Sequence, residues 1–80
     1  MAYTSPETAL EYLLRSGMTK EKILKMSGIS RASLYRFSRD LSKGNRPRLR
    51  EPVASKALAL YTLVREQKEQ DEAVRKELGL

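Results

Sequence analysis

Apolar residues along this chain recur at helical spacing and stop at small residues. Leu10, Leu13 and Leu14, with Ala9, make a stripe that predicts a helix over residues 6–15. Ser5 suits its N-cap, Pro6 its first position and Glu7 the dipole at its first turn. Thr4 with Glu7 offers a competing capping box one residue earlier, and Gly17 ends the segment. A second helix starts at Thr19 and ends near Ser27, with Gly28 as the breaker. Met18 before the cap and Ile23 four residues into the helix predict a hydrophobic staple. The device recurs at once: Ser30 caps a third helix, Ile29 and Leu34 are its staple pair, and Leu34 with Phe37 faces inward.

The stretch 41–52, LSKGNRPRLREP, breaks the pattern. Gly44 and Asn45 favour a turn, and Pro47 and Pro52 push their preceding residues to extended geometry, so no regular helix is expected there. From Val53 a new helix carries Val53, Ala54, Ala57, Leu58, Leu60, Tyr61 and Val64 on a broad apolar face. Beyond Arg65 it is polar nearly all round, and the pairs Arg65–Glu69, Lys68–Glu72, Asp71–Arg75 and Glu72–Lys76 are expected to support it. A seam through Ala57, Leu60, Val64, Gln67, Asp71, Val74 and Leu78 has heptad spacing but a polar centre, a weak coiled coil. No strand pattern appears. The expected fold is all-α: a small helical bundle containing a helix-turn-helix, with a C-terminal amphipathic helix. Residues 1–64 form the helix-turn-helix domain, and residues 65–80 a charged helical extension with a role in dimerisation.

Charge changes the picture by its placement. The chain carries a net +6. Arg31, Arg36, Arg39, Lys43, Arg46, Arg48 and Arg50 meet only Asp40 within residues 31–50, while the segments on either side are nearly balanced. Solvated faces usually mix signs, so a block this dense points to a polyanionic partner. The chain has neither cysteine nor histidine, which removes thiolate chemistry, the usual metal ligand and the usual general base at neutral pH. No metal and no cofactor is expected. Ser33 or Tyr35 as a lone nucleophile has no base beside it, so an enzyme is not expected. No apolar run approaches the roughly 18 residues of a membrane span, and residues 1–10 lack a signal-peptide profile. A soluble, cytoplasmic and nucleoid-associated protein of a bacterial or phage-infected cell is the expectation, with no membrane partner.

Thr19 to Arg39, TKEKILKMSGISRASLYRFSR, therefore reads as two helices across a Gly28-Ile29-Ser30 turn, with an Arg-, Ser- and Tyr-rich second helix. Within it, GISRASLYRF resembles the recognition-helix segment of the tetracycline-repressor family and of the serine recombinases. The resemblance covers about twenty of the eighty residues; neither the ligand-binding domain of the first nor the catalytic domain of the second is expected in them. Leu24 departs from it, standing where many such motifs have Ala. The resemblance implies that Gly28 is the turn glycine and that Ile23, Ile29, Leu34 and Phe37 pack. It also implies that Ser30, Arg31, Ala32, Tyr35, Arg36 and Arg39 face the groove and read bases. Arginine suits that work because its fork matches O6 and N7 of guanine. Arg31 and Arg36 are assigned to bases, Tyr35 to phosphate and Arg39 to either; a partly buried core position is the other reading of Tyr35.

Thr19, Lys20 and Lys22 lie at a helix N-terminus, where free N–H groups favour phosphate, although simple capping is the better reading of Thr19. Lys43, Arg46, Arg48 and Arg50 suit phosphate or the minor groove, and Arg46-Pro47-Arg48 resembles the RPR cores of minor-groove arms. The whole organisation resembles small phage-type repressors, including those associated with anti-CRISPR genes. The expected function is sequence-specific binding of double-stranded DNA by a homodimeric transcriptional repressor on an inverted repeat. Leu60, Tyr61 and Val64 are the expected dimer face, with completion of the monomer core as an equal alternative. The alternatives are an RNA-binding antiterminator, which the paucity of aromatics disfavours, and a module that docks a host protein.

Overall fold

A computed structural model describes residues 4–79; the outermost residues of the expected domain division, 1–3 and 80, lie outside them. Four helices follow in order: α1 (Pro6–Arg15), α2 (Lys20–Ser27), α3 (Arg31–Ser42) and α4 (Val53–Leu78). There is no strand among the described residues, and the fold is the expected all-α bundle with its C-terminal helix. No helix among them is long and apolar enough to cross a membrane.

Three of the four starts are set by hydroxyls. Ser5 Oγ accepts from Thr8 N–H at 3.2 Å, Thr19 Oγ1 from Lys22 N–H at 3.1 Å, and Ser30 Oγ from Ser33 N–H at 3.3 Å. Each satisfies a donor that the first turn leaves without an intrahelical partner. The capping box at Thr4 does not form: Ser5 is the cap, and Glu7 accepts from the backbone N–H of Leu49.

The core consists of Leu10 and Leu13 from α1, Ile23 from α2, Ile29 from the turn, Leu34 and Phe37 from α3, and Ala57 and Leu60 from α4. Both predicted staples lie in or against it, with Met18 partly buried at its edge. Leu24 packs partly buried against the same cluster, so the larger residue at that position is accommodated. The first half of α4 lies across α1 and also touches α2. Tyr12 of α1 and Tyr61 of α4 meet edge to face, 5.3 Å between centroids at 87°, a favoured aromatic geometry.

Two expectations are corrected. Leu41 and Ser42 belong to α3, not to the connection, because Leu41 continues the Leu34–Phe37 stripe against the core. The chain turns only afterwards, at Gly44, with φ 81°. Second, the four ion pairs expected along residues 65–76 do not close: the ion pairs among the described residues are Glu11–Arg15 and Glu21–Arg31. Arg65 instead lies over the rings of Tyr12 and Tyr61, 5.9 Å from each centroid, where two aromatic faces attract the guanidinium. Helix α4 nevertheless runs unbroken to Leu78, and Gly79 ends it in the left-handed conformation. Val64 is its last partly buried residue; Arg65 to Gly79 are exposed.

Leu34 and Leu10 are fully buried, so truncating either to Ala should cost about 2–5 kcal/mol in chemical denaturation, enough to unfold a large fraction of so small a domain. Loss of less than 1 kcal/mol at both sites would show that the core is not packed as described.

Candidate nucleic-acid interface

The direction of α3 is set by the three residues that precede it. Gly28 adopts φ 77°, a region that a Cβ strains, and its N–H donates to Leu24 O at 3.1 Å. Ser27 bridges the corner: its hydroxyl donates to Ile23 O at 2.6 Å and accepts from Ile29 N–H at 3.1 Å. From the other side Lys56 of α4 donates to Gly28 O at 3.1 Å. Ile29, buried at 4% exposure, then anchors the chain as it enters α3. Sequence reading found the glycine and the staple; it missed Ser27 and Lys56, since neither stands out until the corner is folded.

With Leu34 and Phe37 turned inward, Ala32, Tyr35, Arg36 and Arg39 are exposed together on the far face of α3. Tyr35 is 41% exposed and outside the core cluster, which settles it as a surface residue. Ser30 is also exposed, but its hydroxyl is occupied by the cap and by a 2.8 Å hydrogen bond to Ser33 Oγ. Arg31 is held differently from the other arginines. Its Nη1 and Nη2 donate to Oε1 and Oε2 of Glu21 on α2, at 2.6 and 2.9 Å. Tyr35 donates its hydroxyl to the same Oε1 at 3.4 Å, and Lys20 and Arg31 lie over its ring, 5.2 and 5.7 Å from the centroid.

This cluster fixes the charge of Glu21. The hydrogen bonds from Arg31 hold its carboxyl below the usual carboxylate range; the Arg31 charge and Tyr35 hydroxyl add to the effect, and partial loss of water opposes it. Arg31 is raised in return, first by the same hydrogen bond.

The connection between α3 and α4 supplies a second basic strip. Arg46, Arg48 and Arg50 are exposed while Pro47 and Leu49 between them are partly buried, the alternation of an extended backbone. Leu49 packs against the core, and its N–H donates to Glu7 Oε2 at 3.2 Å. Glu7 thus ties the strip to α1, a role invisible in a sequence where the two are far apart. Ser33, Arg36 and Asp40 of α3 line one groove with Arg48, Leu49 and Arg50, so helix and strip adjoin. Lys43 is exposed beside them. At the other end Thr19, Lys20 and Lys22 are exposed at the start of α2, Thr19 acting as a cap and Lys20 leaning on Tyr35. Among the described residues no ion pair engages Arg36, Arg39, Lys43, Arg46, Arg48 or Arg50.

The residues expected at a dimer interface have contacts within the monomer. Leu60 is 3% exposed within the core, Tyr61 packs on Tyr12, and Val64 is partly buried against the same cluster. They complete the monomer, because α4 must cover α1.

Replacing Glu7 by Ala should free the Leu49 amide, read as faster hydrogen exchange at Leu49 than in the parent protein while the core amides keep their protection. The Glu21–Arg31 contact carries a pH signature. A carboxyl lowered in the folded state stabilises it above the unfolded pKa, and loses that contribution as pH falls through the lowered value. Glu21→Gln should therefore flatten the acid limb of the stability profile and leave its slope near neutral pH unchanged. An unaltered acid limb would count against the contact.

Residues 8–41, which span most of α1, all of α2 and most of α3, match the family model of the helix-turn-helix domain of resolvase. No curated protein and no solved structure matches the chain. The match covers the turn at Gly28 and the exposed face of α3 together, and the chain is a small helix-turn-helix DNA-binding protein.

Proposed function

We propose that the protein binds specific sites on double-stranded DNA as a homodimeric transcriptional repressor, reading an inverted-repeat operator and catalysing no reaction. The observation that carries this reading is the junction of two unpaired basic surfaces. Arg36 and Arg39 stand on the free face of α3, and Arg48 and Arg50 continue from the same groove. A helix of this kind lies in the major groove with base edges under its first turns, while an adjoining strip meets backbone or minor groove. Occupancy of the operator suffices for repression.

One such motif reads only a few base pairs, which favours two copies on a two-fold site. Since Leu60 and Tyr61 are engaged within the monomer, the apolar side chains still accessible on α4 are Leu63, Val74 and Leu78. The contact between copies is assigned to this free part of the helix.

Selection of bound sequences from random duplex DNA at two salt concentrations tests the reading. An inverted repeat with half-sites about 34 Å apart is the expected product. On that site Arg36→Ala should cost about 1–3 kcal/mol at one base position. Arg46→Ala or Arg48→Ala should instead weaken all sequences alike and reduce the salt slope by about one. A flat selection would reject sequence-specific binding. Sedimentation showing one copy on the selected site would reject the dimer.

A further inference from the structure

Glu21 is an acid beside the cations Lys20, Lys22 and Arg31, and a lone carboxylate beside a polyanion weakens binding. It is not solvated as a lone charge. Both of its oxygens are taken end-on by Nη1 and Nη2 of Arg31, at 2.6 and 2.9 Å, across the corner between α2 and α3. The Tyr35 hydroxyl adds a third hydrogen bond, and the Tyr35 ring lies beneath the guanidinium. A long side chain at the first residue of α3 is thereby held at one edge and along one face.

What remains free follows from the planar shape of the group. A guanidinium has five N–H donors, and a fork made by the Nη1–Nη2 edge leaves the Nε–H and the second N–H of Nη2 side by side on another edge. Among the described residues no hydrogen bond engages that edge, and the Arg31 side chain is 63% exposed. Two parallel donors match O6 and N7 of guanine in the major groove. The N-terminal end of a recognition helix is where base edges are met, and Arg31 is the first residue of α3. Arg36 and Arg39 have no comparable brace and must be ordered on contact with DNA.

We infer that Glu21 is a positioning residue: it clamps Arg31 so that the Nε–Nη2 edge reads a guanine beneath the start of α3. The inference rests on the sequence-specific duplex binding proposed above. Its physical content is preorganisation. The carboxylate removes the freedom that the guanidinium would otherwise lose on binding, and excludes the orientations that would serve other bases.

The test compares selections from random duplex DNA for the parent protein, Glu21→Gln, Arg31→Ala, Arg31→Lys and the double variant Glu21→Gln/Arg31→Ala. In the parent a guanine should be enriched at one position of each half-site. Glu21→Gln should lower that preference by about tenfold, because a carboxamide turns a donor toward one guanidinium nitrogen, and should leave the position read by Arg36 unaltered. Arg31→Lys keeps the charge but has no planar fork, and should relax the same position. The double variant should be no worse there than Arg31→Ala, the non-additivity expected of one unit. Circular dichroism melts establish that each variant is folded, and the exposed location of the cluster favours this. A parent site with the guanine still selected by Glu21→Gln overturns the positioning role alone. Equal relaxation at every position reduces Glu21 to a structural brace and also overturns it. A parent protein that selects no sequence overturns the sequence-specific reading, and this inference falls with it.

Discussion

The corner at Gly28 governs the outward face of α3. A chain that must reverse within three residues needs a left-handed conformation, and only glycine adopts it without a penalty. The corner is then secured from three sides: by Ser27 within the chain, by Lys56 from α4, and by Ile29 buried beneath it. These contacts are short and use backbone groups, so they fix direction as well as proximity. Once α3 leaves the corner at that angle, burial of Leu34 and Phe37 determines its rotation. The surface carried by Ala32, Tyr35, Arg36 and Arg39 follows from that rotation.

Apolar packing and surface chemistry are divided between different parts of α4 and its neighbours. The first half of α4 closes over α1, buries Ala57 and Leu60, and sends Lys56 to the corner. One helix therefore both completes the core and braces the turn. Its second half makes no such contribution, since every residue from Arg65 onward is exposed. The change comes at Arg65, which still lies over Tyr12 and Tyr61 and so ends the packed portion with a cation on aromatic faces.

Much of this was legible in the sequence because it depends on neighbours within a few residues. The caps at Ser5, Thr19 and Ser30, the staples and the turn glycine are local rules, and all are found as read. The end of α3 was less legible, because the turn residues Gly44 and Asn45 and the prolines after them compete in the sequence with an apolar stripe that continues to Leu41. Along α4 the i,i+4 spacing permits ion pairs without making them favourable, since exposed pairs gain little over solvation. Contacts that join distant segments left no trace. Glu7 with Leu49, Lys56 with Gly28 and Glu21 with Arg31 each pair residues whose proximity exists only after folding. The outward face of α3 was legible residue by residue; the fact that Arg31 is clamped was not.

That clamp separates cations that the sequence does not distinguish. A polyelectrolyte releases counterions in proportion to the charges that neutralise it. Arg31 with Glu21 brings almost no net charge to that exchange, because a carboxylate 2.6 Å away travels with the guanidinium. Arg36, Arg39, Lys43, Arg46, Arg48 and Arg50 bring theirs undiminished, since no acid among the described residues pairs with them. The proposed reading therefore assigns attraction to DNA and its dependence on salt to the free face of α3 and the extended strip. A neutralised arginine contributes through hydrogen-bond direction, which is effective only at contact distance and only where the acceptors match. The basic block of residues 31–50 thus contains two kinds of arginine, distinguished by an acid that lies outside the block, ten residues before the first of them.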